Sequence, residues 1–162
     1  SVANGEAYRK SLNNNNTQTY FVTPYEKSTY YDDDYTYIYC ASITDIKNDK
    51  ETVGGIGIVF DSRPQFVAML EDVSPCEESQ AYFCDIDGKI ISSYGKGCKK
   101  VGEILDLAIG FETLNESECT SKIIQIDEQK YLVGIAASPG YREYKKCDGY
   151  KNKVLCIIIT PI

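Results

Sequence analysis

With 162 residues, 43% hydrophobic and 25% charged, the chain has the size and make-up of one globular domain and excludes a disordered or collagen-like segment. Its 24 acidic and 17 basic side chains leave a net charge of -7, which repels the phosphate backbone and excludes nucleic acid as an expected partner. No histidine occurs, which removes His-based catalytic schemes and the usual zinc patterns; no metal or cofactor is expected.

Residues 5–12 suit a short helix, and the polar run Asn13 to Asn16 suits a loop. The segment YTYIYCASIT, residues 35–44, is β-branched and aromatic with a period of two. It predicts a strand with Tyr35, Tyr37 and Tyr39 on one face and Ile38 and Cys40 on the other. The turn-like DIKNDKE and the run VGGIGIVFDS then predict an antiparallel hairpin. Ser62 with Gln65 forms a capping-box pattern. Phe66, Met69, Leu70 and Val73 follow at helical spacing up to Ser74 and Pro75.

AYFCDIDGKIISSYG predicts a second hairpin around Asp87-Gly88, because Asp-Gly supplies the backbone freedom of a tight turn. VGEILDLAIG reads as a short amphipathic helix stopped by Gly110. KIIQIDEQKYLVGIAA reads as a third hairpin, and KVLCIIITPI as a central strand. This order predicts an α+β fold: a mostly antiparallel sheet of five to seven strands with helices packed on it.

Seven cysteines form no C-x-x-C pair. Cys40, Cys84 and Cys156 lie in strand-like runs and read as small buried hydrophobes, whereas Cys76, Cys98, Cys119 and Cys147 lie in loop-like segments. A thiol nucleophile without a histidine lacks its usual base, so no enzymatic activity is expected. The first residues lack a signal-peptide layout, no apolar run reaches the ~20 residues of a membrane span, and the ends read as those of a fragment.

The segments TPYEKS, YIYCASIT, VGGIGIVFDSRPQF and YFCDIDGKIISS, in this order over roughly residues 20–100, resemble the Cache family of sensor domains. That resemblance implies a PAS-like fold with a curved antiparallel sheet, in which a PY segment precedes the first strand and a glycine-containing strand leads into a helix. The tail from Tyr131 to Ile162 also resembles domains of bacterial chemotaxis receptors. The resemblance implies a single ligand-sensing domain over residues 1–162 of a longer receptor, with an output module on the same chain. It places the domain outside the cytoplasmic membrane, with a cytoplasmic sensor as the alternative, and homodimers are common among such receptors.

Fourteen tyrosines and no tryptophan supply phenol rings with both a π face and a hydroxyl. Tyr37 and Tyr39 share a strand face and are candidates to line a pocket with Tyr25 and Tyr131, whose segments are expected beside that strand. Asp61 stands close to where amine-binding Cache domains place a carboxylate, one residue late when counted from Gly55. Arg63 is a candidate clamp for a carboxylate, and Tyr141 belongs to a loop long enough to cover one end of the sheet. The expected ligand is an amine or carboxylate metabolite, and the alternative function is a protein-interaction module without a small ligand. Asp85 and Asp87 are assigned to turn chemistry and Asp32, Asp33 and Asp34 to a solvated loop.

Overall fold

The computed structural model describes residues 20–23, 25–107, 119–138 and 153–162. They form two compact units that divide between Ser62 and Arg63. The expected helix at 5–12, the loop around Tyr141, Cys147 and the end of VGEILDLAIG lie outside the described residues.

The first unit is built on the hairpin of β3 (Asp34–Asp45) and β4 (Asn48–Phe60). Its turn is shorter than the polar composition suggests: only Ile46 and Lys47 leave the ladder, and Asp45 Oδ1 accepts from Lys47 N at 2.8 Å. β1 (Tyr20–Val22) pairs with β3 from Tyr39 to Ala41, and β2 (Glu26–Ser28) pairs with it from Asp34 to Thr36. Tyr20 opposes Ala41 while Glu26 opposes Thr36, so the register slips by one residue between β1 and β2. A 3-10 turn, Thr29–Tyr31, joins β2 to β3. Ser28 caps it by accepting from Tyr30 N, and Asp32 and Asp33 close it in the left-handed region. Aspartate tolerates that conformation because its short side chain bonds locally.

The second unit carries α1 (Arg63–Val73), β5 (Gln80–Cys84), β6 (Ile90–Tyr94), β7 (Cys119–Ile126), β8 (Gln129–Ser138) and β9 (Val154–Pro161). The strands form one antiparallel sheet in the order β6-β5-β9-β8-β7. The last strand therefore lies in the middle, as its unbroken apolar run predicts. One face carries the core, with Tyr82, Cys84, Ile90, Val133, Ile135, Leu155 and Ile157 buried. The α+β class and antiparallel pairing expected from the sequence hold, with the strands shared between this five-stranded sheet and the four-stranded one of the first unit.

Helix α1 forms where predicted and lies against β5 and β6, with the Phe66 ring edge-on to Phe83 at 5.7 Å between centroids. Its buried stripe is narrower than the apolar spacing suggests: Phe66 and Leu70 are buried, while Met69 and Val73 are half exposed. The capping box does not form. Ser62 Oγ is buried without a hydrogen-bond partner among the described residues.

The Asp-Gly hairpin is present, and Asp85 organises its turn. Asp85 Oδ1 accepts from Asp87 N and Lys89 N, both at 2.9 Å, while Gly88 takes φ 76. The expected helix VGEILDLAIG is not formed over Val101–Leu107. Gly102 takes φ 86 and donates to Ile90 O, Ile90 N donates to Glu103 O, and Ile104 bridges Lys89. This segment instead runs as an extra edge along β6. Leu105 and Leu107 are buried and Asp106 is exposed, so a period of two wins over the helical spacing.

Burial pushes the Cys84 thiol from 9.0 up to about 12, with the neighbouring charges of Asp85 and Cys156 adding to the rise. Burial moves Cys40 and Cys156 in the same direction. Cys40 and Cys84 are buried, as the sequence predicts, while Cys156 is half-buried; all three are protonated at neutral pH, which leaves them poor nucleophiles. Because the Cys84 pKa is higher in the folded chain than in the unfolded one, the stability linked to it is complete below about pH 9 and is lost as pH rises through about 12. The melting temperature is therefore expected to fall across that window, and to fall less steeply in Cys84→Ala. An identical slope in the variant would remove Cys84 as a source.

Candidate functional site

The aromatic face of the first sheet follows from strand alternation. Residues 35, 37 and 39 of β3 point to one side, and the register puts Phe60 opposite Tyr37 and Ile58 opposite Tyr39 on that same side. β1 adds Tyr20 and Val22, which oppose Ala41 and Tyr39. The rings then meet in two groups. Tyr25 stacks on Tyr35 at 5.7 Å and tilts against Tyr37 at 4.9 Å. Tyr39 tilts against Tyr20 at 6.2 Å and meets Phe60 edge-on at 6.1 Å. Each such pair contributes about 0.5–1.5 kcal/mol beyond simple burial.

Tyr37 is 1% exposed, whereas Tyr20, Tyr25, Tyr35, Tyr39 and Phe60 are half-buried and present part of each ring. Lys27 Nζ sits 5.7 Å from the Tyr35 centroid, so this face already holds one ammonium group by cation–π attraction. Beyond Tyr39 the same side continues as Ile43, Ile56 and Ile58, each about half exposed.

Thr36 anchors the end of the hairpin by donating from Oγ1 to Phe60 O at 2.7 Å. Asp61 follows directly, is exposed, and accepts a hydrogen bond from the Tyr31 hydroxyl. A carboxylate and several π faces in one small unit are the groups that receive an ammonium ion. A carboxylate also forms the stronger, charge-assisted kind of hydrogen bond.

Of the residues singled out in the sequence, Tyr25, Tyr37 and Tyr39 lie on this sheet as expected, with Tyr25 beside the strand that carries the other two. Asp61 follows the end of β4 and hydrogen-bonds Tyr31. Arg63 opens α1 in the second unit and is exposed. The segment of Tyr131 is not paired with β3: it lies in β8, pairs with Ile124 and Pro161, and packs half-buried against the second unit's core. Alternating apolar residues fix a strand's face and leave its neighbour open, which is why Tyr131 was expected elsewhere. Tyr141 lies outside the described residues.

Sequence reasoning passed over Tyr20, Tyr31, Tyr35 and Phe60 as members of the site. Tyr35 was legible, since it shares the alternation of Tyr37 and Tyr39. Phe60 and Tyr20 needed the register, and Tyr31 needed the 3-10 turn.

Structural comparison over nearly the whole chain matches solved domains of other proteins. The ligand-binding domain of Mlp24 with asparagine aligns over 98% of this chain and 56% of its own, with TM-score 0.64 and 13% identity. The extracellular domain of rpHK1S-Z16, named as a histidine kinase, aligns over 98% of this chain and 59% of its own, with TM-score 0.62 and 10% identity. The chain shares its fold with these two solved domains. No protein-family model and no curated protein matches the sequence. This chain spans less than three-fifths of the length of each solved chain. Among the described residues no helix is long and apolar enough to cross a membrane.

Proposed function

We propose that the chain is a single small-molecule-sensing domain, residues 1–162, of a bacterial chemotaxis-type receptor. In this reading it sits outside the cytoplasmic membrane, and an output module elsewhere in the longer protein reads its state. The carrying observation is the match over 98% of the chain to a ligand-binding domain solved with an amino acid. The aromatic face supports it independently. Tyr25, Tyr39, Tyr20 and Tyr35 offer ring surface, buried Tyr37 supports Tyr25, and Asp61 supplies the negative charge. An amine-bearing metabolite, with an amino acid as the leading class, fits these groups.

Ligand binding to the folded state raises the melting temperature by mass action, so the test is a thermal-shift titration with L-amino acids, simple amines and small carboxylates. A dose-dependent rise is expected for at least one amine-bearing compound. Asp61→Asn is expected to weaken it about tenfold or more, as loss of a charge-assisted hydrogen bond does. Tyr39→Ala is expected to weaken it by a similar factor. The exposed row Ile43, Ile56 and Ile58 favours the second reading, a protein-interaction surface. A flat response to every compound would move the assignment there.

A further inference from the structure

Lys27 lies directly opposite Tyr35 in the pairing of β2 with β3, and its Nζ stands 5.7 Å from the centre of that ring. Strand alternation turns Glu26 and Asp34 to the other face of the sheet, so the carboxylates nearest in the ladder do not share its side. Among the described residues no carboxylate pairs with Lys27 Nζ. The ring beneath it belongs to the aromatic face, since Tyr35 stacks on Tyr25 and Tyr25 meets Tyr37. A positive charge is therefore built into the face that the reading above gives to an ammonium group.

Asp61 stands at the same end of this sheet, on its other side. β1 and β4 both pair with Tyr39–Ala41 and so flank β3, and β2 continues the line of β1 after its one-residue slip. Lys27 opposes Tyr35 from β2, while Asp61 follows Phe60, which opposes Tyr37 from β4. Two strand spacings, about 10 Å, separate the two backbones. A small zwitterion bridges such a span when a basic and an acidic side chain stand at its two ends. Asp61 holds the Tyr31 hydroxyl on Oδ1, and a carboxylate accepts up to about four hydrogen bonds.

We infer that Lys27 is a specificity-determining residue: its ammonium group receives the carboxylate of a ligand whose own ammonium group goes to Asp61, so the site takes α-amino acids in preference to simple amines. The inference rests on the amine-site reading and narrows its ligand class. A simple amine brings a second positive charge to the face that carries Lys27 and gains nothing from the lysine. An amino acid brings the carboxylate that offsets that charge. Lys27 thus acts on the two ligands with opposite sign.

The matched probes are L-asparagine and L-asparagine amide, in which a neutral carboxamide replaces the α-carboxylate. Both are titrated by calorimetry at about pH 6, where an α-amino group is protonated, into the wild-type chain, Lys27→Gln and Lys27→Arg. Lys27 is exposed, so both variants keep the fold. The wild-type chain is expected to bind L-asparagine the more tightly. Lys27→Gln is expected to narrow that preference about three- to fivefold, the scale of an exposed ion pair, by weakening L-asparagine and leaving the amide equal or tighter. Lys27→Arg keeps the charge and is expected to keep the preference. An unchanged ratio of the two affinities in Lys27→Gln overturns the inference and leaves the amine reading standing. A preference lost equally in Lys27→Arg also overturns it, since shape rather than charge then sets the ratio. Binding of neither probe to the wild-type chain overturns the amine reading for asparagine-like ligands and the inference with it.

Discussion

Leu155→Ala is expected to destabilise the second unit by about 3 kcal/mol, within the range for truncating a buried leucine. Leu155 is fully buried in β9, the middle strand of the five-stranded sheet, and faces Cys84 on one neighbour and Ala137 on the other. Both flanking side chains are small, so neither can swing into the space that the missing isobutyl group leaves. Rigid neighbours keep the cavity open and move the cost toward the upper part of the range. Urea unfolding followed by circular dichroism measures it, with Ile123→Ala as the control. Ile123 lies on the edge strand β7 at 59% exposure, so its truncation removes little buried surface and should cost well under about 1 kcal/mol. Equal losses for the two variants would contradict the placement of the core on β9.

Gly95→Ala is expected to cost about 3 kcal/mol or more, and to lower the melting temperature by about 10 °C in a chain of this size. Gly95 follows β6 at φ 114, a conformation that side chains rarely adopt. A Cβ there would stand 2.3 Å from Ser79 O and 3.3 Å from Gln80 Cα. Both are backbone atoms at the start of β5, so relief requires moving the strand rather than turning a side chain. Ser79 is itself fixed: its hydroxyl lies 2.9 Å from Thr160 Oγ1 and 3.1 Å from the Cys76 sulfur. Gly134→Ala is the matched control, because a Cβ at Gly134 meets nothing within 4 Å. It should stay within about 1 kcal/mol of the parent, with the sign set by lost unfolded-state entropy. Similar melting temperatures for the two variants would refute the close approach at Gly95.

The parts of the fold that the sequence made legible are those in which local chemistry and burial agree. The alternation of YTYIYCASIT, the Asp-Gly turn and the unbroken apolar run of β9 each admit one arrangement, and the structure has it. The failed helix at Val101–Leu107 shows the opposite case. Its apolar residues fit a period of two as well as a helix, and backbone pairing with Ile90 and Lys89, invisible in a local window, decides between them.

The candidate site divides along the same line. Tyr37 and Tyr39 were legible because one strand's alternation places them. Tyr31 and Phe60 were not, because their positions depend on a turn conformation and on cross-strand register. The strand pairing of Tyr131 was not legible because a hairpin's sequence carries its own pairing and not its place in a sheet.

The most direct test of the central claim is a titration of the tyrosine-labelled protein with L-asparagine and the other L-amino acids, followed by NMR of the ring resonances. If the aromatic face is the ligand site, saturable shifts gather on Tyr20, Tyr25, Tyr35 and Tyr39. Saturable shifts confined to Tyr82, Tyr94 and Tyr131 of the second unit would contradict that site, and no saturable shift with any amino acid would contradict amino-acid sensing itself.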